Sequence, residues 1–393
     1  MHCWHVLSLS YFGFTALLLT PTALAEKITY STLKNGDVIT VTLDQLLPTQ
    51  AVLDYDAEYA KLQYYANDRK HIFDTLCRVN GAKGIKKWDD DASPLDPESY
   101  TCKADVGTDV DALSNVIIGP EEGILYLVDH LTVLSSFWDM PNGGTSVPVM
   151  VKISHNLLAS GDDFWAEMNN DREVWLRNYK GKKISPDDLP EYIGLKQLKH
   201  DKYLSLVNFL DGISYAMPKP DGKNTTQADI PFLALHWALA LRKKMKISDY
   251  NLNDPEEYAT AITEAATIMV DTPDDQDIGL SKRTAKEMGK FDQVDSEALE
   301  KLLTDKDSAF SLAMAYRLAK KEKSTPKSLM VKDSDKKDLD TQDAKNQDSD
   351  NKGNTDKDGK KAESSQSGTD KQTKSPKADN DQPNAINETT EKP

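Results

Sequence analysis

An α+β fold is predicted for this chain of 393 residues: a small mixed-sheet domain over 26–200, an all-helical region over 201–322, and a disordered low-complexity tail over 323–393. Three observations carry that expectation. Apolar and polar residues alternate at Val38–Leu43 and at Val147–Ile153, the period of half-buried strands. Val116-Ile117-Ile118 and Ile124–Val128 are short apolar runs separated by the turn pair Gly119-Pro120, which reads as two core strands. From about Lys202 onward only helical spacing remains, until Lys, Asp, Ser, Asn, Gln, Thr and Gly take over beyond Lys323.

Taken in order, residues 1–25 have the form of a secretory leader: an apolar stretch from Tyr11 to Leu19, a break at Pro21, and Ala23-Leu24-Ala25 as a small-x-small cleavage site. The apolar stretch is short for a membrane span, and no later stretch is long and apolar enough for one, so an exported chain is expected. The strand at Val38–Leu43 runs into Asp44–Gln50 and stops at Pro48. Helical spacing follows at 56–66 (Tyr59, Leu62, Tyr65) and at 70–79 (Ile72, Phe73, Leu76). Residues 80–111, rich in Gly, Asp and Pro, form a long loop. The strand pair then delivers Asp129 and His130 to the start of a helix. At 146–153, Pro148 marks either an edge strand or a strand start. A helix is expected at 164–175, and Ser185-Pro186-Asp187-Asp188 opens a short one.

The helical region should hold helices at 203–216, 230–245, 256–270 and 296–321. Asp254-Pro255-Glu256-Glu257 is a strong start, with an acid at the N-cap and Pro at the first helical position. Phe232, Leu235, Trp237 and Leu239 read as core, and His236 among them as a satisfied core histidine. No aromatic residue follows Tyr316. The tail therefore lacks the apolar surface to offset its chain entropy, and reads as a solubilising extension or tether.

Composition narrows the function. A net charge of −16, with no basic stripe interleaved with aromatics, argues against a dedicated nucleic-acid binder. A small molecule or a protein remains as the partner. Of three cysteines, Cys3 leaves with the leader, so Cys77 and Cys102 are expected to form one disulfide in an exported protein. Neither cysteine nor histidine spacing suits zinc, and no metal site is read. The corner at Asp129-His130 can hold an anion such as a phosphate through the free N–H groups of a helix's first turn. In the alternative reading, Asp129 merely caps the helix and His130 lies on its surface.

The order of these features resembles the secreted ParB-like nuclease family of the ParB/sulfiredoxin superfamily. The likeness rests on Leu46-Leu47-Pro48-Thr49-Gln50 after a strand, Tyr59-Ala60-Lys61-Leu62, Cys77-Arg78-Val79-Asn80-Gly81, Cys102 and Gly119–Leu127. It continues through Phe164-Trp165, Tyr203–Tyr215 and Arg283-Thr284-Ala285, and covers roughly 37–290. In the family, the strand is followed by a Thr-Asp-Gly-His-His-Thr motif, and related members use that turn to bind nucleotide phosphates, some of them as kinases of small substrates. Here the run is Val128-Asp129-His130-Leu131-Thr132, read as a deletion of the glycine with Leu131 replacing one histidine.

The resemblance implies a ParB/sulfiredoxin-like mixed-sheet domain. It also implies Asp129 and His130 as the catalytic candidates and Thr132, Lys61 and the Pro48-Thr49-Gln50 turn as phosphate or ligand contacts. A nucleotide with Mg²⁺ is the implied cofactor. Two functions stand: a ligand-binding or structural module with a degenerate phosphate motif, or a nucleotide-dependent phosphotransferase or nuclease-like enzyme.

Overall fold

The computed structural model describes residues 28–216 and 230–324; the expected leader at 1–25 and all but the first two residues of the expected tail at 323–393 lie outside the described residues. The fold is α+β, with a mixed sheet and a helical region. In chain order the elements begin with β1 (Val38–Thr42), β2 (Leu46–Pro48), β3 (Val52–Leu53), α1 (Tyr55–Asn67), α2 (Lys70–Val79), β4 (Ile85–Lys87) and β5 (Thr101–Cys102). They continue with β6 (Ser114–Ile118), β7 (Leu125–Leu127), α3 (Leu131–Asp139), β8 (Pro148–Asn156), α4 (Phe164–Asn170) and β9 (Lys199–His200). The helices α5 (Lys202–Phe209), α6 (Leu233–Lys244), α7 (Pro255–Val270), α8 (Ser296–Thr304) and α9 (Ala309–Ser324) close the described chain.

The main sheet has five strands in the order β1-β8-β6-β7-β2. β8 runs antiparallel to β1 and parallel to β6, β6 and β7 form an antiparallel pair, and β2 lies parallel to β7 at the other edge. β8 buries Val149, Val151 and Ile153 on one face, as its alternation dictates. It is an inner strand, so Pro148 is its first residue and not an edge marker. β6 is buried on both faces, which explains its unbroken apolar run. Val116 and Ile118 join the core under α2 and α3, and Ile117 meets Phe164 and Met168 of α4 on the other side.

Helix α1 serves two cores. Leu62 and Tyr65 pack into the sheet core, and Tyr59 and Ala60 into the helical core of α5, α6, α7 and α9. Its N-cap Asp54 accepts from the N–H groups of Asp56 (3.0 Å) and Ala57 (3.1 Å). The same carboxylate accepts from Ser205 Oγ (2.6 Å) and Asn208 Nδ2 (2.7 Å), fixing α5 to the start of α1. Asp201, the N-cap of α5, accepts twice from Arg242 Nη2 (2.6 and 2.8 Å), which ties α5 to α6. Cys77 of α2 and Cys102 of β5 are joined in a disulfide with Cα atoms 5.6 Å apart, anchoring the β4–β5 ribbon within the 80–111 loop.

Three helices are shorter than the spacing predicts. The helix expected at 164–175 ends at Asn170, because Arg172 takes a left-handed φ of 60°. The N–H of Glu173 then turns back to the carbonyl of Met168 (2.8 Å), a helix-ending bond, and Trp175 continues in extended chain against Gln50. The helix expected at 203–216 stops at Phe209, and Gly212 at φ 76° turns the chain. The stretch at 296–321 breaks into α8 and α9, since Ser308 starts a new helix by accepting the N–H of Ser311 at its hydroxyl (3.1 Å). The predicted start at Asp254 forms as expected, its carboxylate accepting from Glu256 and Glu257 N–H at 3.0 and 3.1 Å.

Candidate functional site

The central corner forms where β7 hands the chain to α3. Pairing of Val116 with Leu127 places Asn115 beside the residues that follow β7, and the N–H of Val128 donates to the Asn115 carbonyl (3.0 Å). Asp129 turns toward the same residue: Oδ1 accepts from the Asn115 N–H (2.9 Å) and Oδ2 from its side-chain amide (2.6 Å). Asp129 therefore does not cap α3. The N-cap is His130, and its side chain makes no capping hydrogen bond.

His130 has a left-handed φ of 54°. Histidine tolerates that region better than most residues, but glycine is the natural occupant. The His130 ring is held by Ser114, whose Oγ lies 3.2 Å from Nδ1, and Asp129 Oδ1 lies 3.6 Å from the same atom.

Beyond this corner lies an open cavity of about 540 Å³. One wall is the first turn of α3, with Leu131, Thr132 and Val133. The facing wall is the first turn of α6, with Leu233, Ala234 and Leu235. The first backbone bonds of the two helices are Leu134 N–H to His130 C=O (3.1 Å) and His236 N–H to Phe232 C=O (3.0 Å). The three N–H groups ahead of each have no partner within their helix. Neither cap residue, His130 or Phe232, supplies one from its side chain, and both sit at positive φ. Two helix N-termini without a side-chain cap among the described residues thus open on one space, each carrying about half a positive charge.

Lys61 of α1 and Gln50 complete the site. Burial alone lowers the Lys61 pKa, and its ammonium forms no ion pair or hydrogen bond among the described residues. The side-chain amide of Gln50 donates to the Val52 carbonyl (2.7 Å), which fixes its orientation. Asp129 is the one carboxylate among the described residues lining the cavity. Lys61 and Asp129 cancel in formal charge among the described lining residues, so the positive character of the site comes from the two helix N-termini, in a chain whose net charge is −16.

Of the residues singled out from the sequence, the structure brings Gln50, Lys61, Asp129, His130 and Thr132 to this cavity. Pro48 and Thr49 stand behind it. Pro48 pairs with Leu127 at the end of β2, and the buried Thr49 hydroxyl donates to the Leu127 carbonyl (2.9 Å), binding the edge strand to the corner. The first turn of α6, together with Leu204 and Asn208 of α5, was not expected here. Its approach is signalled by no cap residue, since Pro231-Phe232 precedes the helix. Asn115 was legible in principle, because a hairpin closed at Gly119-Pro120 sets the residue opposite Val128. Among the described residues no group of three or more His, Cys, Asp or Glu side chains is placed to hold a metal ion.

The family model described as "Putative ParB-like nuclease" matches residues 39–243, a span that includes every residue lining the cavity. The match ends within α6, so Arg283-Thr284-Ala285 lies beyond it. A solved structure, protein Atu1540 from Agrobacterium tumefaciens, is similar at 18% identity and a TM-score of 0.40, covering 59% of this chain and 92% of that one. No curated protein matches the chain. By the match over half its length, the chain belongs to the "Putative ParB-like nuclease" family.

Proposed function

We propose that the protein binds a small phosphorylated ligand in the cavity between the first turns of α3 and α6. The observation that carries this reading is the meeting of six N–H groups, free of any helical partner, with a Lys61 ammonium that is unpaired among the described residues. Such groups suit a compact anion with several acceptor oxygens. Leu131, Leu204 and Leu233 offer apolar surface to whatever the phosphate carries. The Cys77–Cys102 disulfide supports an exported setting, since such bonds persist in oxidising compartments.

A second reading, phosphoryl transfer or nuclease-like hydrolysis with a nucleotide and Mg²⁺, draws on the adjacency of Asp129 and His130 at the cavity wall. Both oxygens of Asp129 already accept from Asn115. Mg²⁺ would fit this wall chiefly as an ion carried by the nucleotide's own phosphates.

The test is thermal unfolding of the protein with ATP, CTP, ADP and inorganic phosphate, each with and without Mg²⁺. A ligand present at 100 times its Kd should stabilise the fold by about 2.7 kcal/mol. Lys61→Gln should weaken binding by roughly tenfold or more, the worth of one hydrogen bond to a charged group. An unchanged transition with all four compounds would remove the reading. Turnover of a bound nucleotide that stops in Asp129→Asn would favour the enzyme.

A further inference from the structure

Behind Phe232 lies a second, smaller cavity of about 210 Å³, separate in its chemistry from the first. Its cationic side is built by Arg172, Arg177 and Lys183, and its aromatic side by Trp175 and Phe232. Local structure explains the grouping. The left-handed turn at Arg172 ends α4, and the chain then turns tightly, the Arg177 N–H donating to the Trp175 carbonyl (3.0 Å), so that 174–177 all line the cavity. Arg177 pairs with Lys183 across an antiparallel bridge, so the two cations are neighbours.

Arg177 Nη1 donates to the Gly181 carbonyl (2.8 Å), which holds the guanidinium in place and leaves other donors of its fork available. Among the described residues, none of the three cations forms an ion pair with a carboxylate and no acid lines the cavity.

His236 supplies a directed neutral donor. Its Nδ1 accepts the N–H of Leu280 (3.1 Å), so in the neutral ring the proton resides on Nε2. Burial first, and then the charges of Arg172 and Arg177, depress its pKa to about 4, and the ring is neutral near pH 7. The loop that provides Leu280 is held close to α6: a Cβ on Gly279 would fall 2.5 Å from the His236 carbonyl oxygen. The Trp175 ring stands edge-on to His236 at 5.0 Å and 5.7 Å from Phe232, so the apolar wall and the donor are contiguous.

We propose that this cavity is a binding site for a small carboxylate bearing an aromatic ring, with the ring against Trp175 and Phe232 and the carboxylate held by Arg172, Arg177 and His236 Nε2–H. Size selects the class. A dry cavity of about 150 Å³ takes benzene, so 210 Å³ holds a ring and a carboxylate but little more. A guanidinium fork matches the two coplanar carboxylate oxygens, and a neutral imidazole donor adds a bond without adding charge.

The experiment is calorimetric titration of the full chain at pH 7 with benzoate and phenylacetate, alongside benzyl alcohol and inorganic phosphate. Benzoate or phenylacetate should bind at one site, benzyl alcohol at least tenfold more weakly, and phosphate should not displace the acid. Arg172→Ala, at an exposed position, and Arg177→Lys should each weaken the acid tenfold or more, whereas Lys61→Gln should leave it unchanged. Should Arg177→Lys fail to fold, Arg172→Ala alone decides, with the shift of the His236 ring resonances on titration as an independent readout. Absence of acid binding, binding unaffected by Arg172→Ala, or equal binding of benzyl alcohol would overturn the proposal.

Discussion

Replacing Arg317 with Met should destabilise the protein through a carboxylate left behind in the core. Asp56, on the first turn of α1, is fully buried, and Arg317 of α9 donates to it from Nε (2.6 Å) and Nη2 (2.9 Å). Tyr258 OH donates to Oδ2 at 2.7 Å, and His200 Nε2 lies 3.6 Å away. Burial works against ionisation of Asp56. The hydrogen bonds and charges of His200 and Arg317 outweigh it and hold the carboxyl well below the usual carboxylate range. Removing one partner of a buried pair costs about 3–5 kcal/mol, and because Tyr258 and His200 remain the lower figure, about 3 kcal/mol, applies here. At roughly 2–4 °C per kcal/mol for a body of this size, the melting temperature should fall by about 6–12 °C.

The pH dependence has a definite sign. A depressed pKa adds stability that is present above the ordinary value of 3.8 and is lost as the pH falls below it, so the wild type and Arg317→Met should converge in acid. Urea unfolding of the wild type, Arg317→Met, Asp56→Asn and the double variant gives the coupling directly. A loss under about 1 kcal/mol for Arg317→Met, or additive single changes, would refute the claim that this pair clamps α9 to α1. The clamp matters to the candidate site because α1 also presents Lys61, five residues further along the same helix.

Other outcomes follow from the same coordinates. His130→Val should cost about 1–2 kcal/mol, because a β-branched residue is forced into the left-handed region, whereas His130→Gly should stay within about 1 kcal/mol of the wild type; denaturant midpoints measure both. Glu58 is buried, and burial first, then the neighbouring Asp139 carboxylate, raise its pKa well above the ordinary value. Its contribution is therefore full at low pH and is lost as pH rises through the raised pKa, so Glu58→Gln should flatten the alkaline side of the stability profile. A steeper alkaline decline in that variant would contradict the assignment. Opening the Cys77–Cys102 bond, which closes a separation of 25 residues, should cost about 3.5 kcal/mol by chain entropy. The double Cys→Ser variant, compared with the oxidised protein in urea, tests it.

What could be read in the sequence was what depends on neighbours along the chain. The hairpin at Gly119-Pro120, the alternation in β8 and the capped start at Asp254 are local patterns, and each forms as the pattern dictates. Breaks within helices were harder, since Arg172 ends α4 at a positive φ that glycine would have announced and arginine does not. The candidate site mixes the two cases. Asp129, His130 and Thr132 follow from the corner itself, while Gln50 arrives because β2 pairs in parallel with a strand some 78 residues away. That same pairing turns Thr49 inward. The α6 wall was hidden because an apolar run beginning at Pro231-Phe232 looks like core alone, and nothing in it marks a helix end that is left uncapped toward a cavity.

The backbone amide resonances of residues 131–133 and 233–235, followed during titration with phosphate and then with ATP, test the central claim most directly. Binding between the two helix ends should shift both triplets together, with the Lys61 side chain, at a single Kd that Lys61→Gln raises. Shifts confined to one triplet, or saturation by ligand with both triplets unmoved, would contradict it.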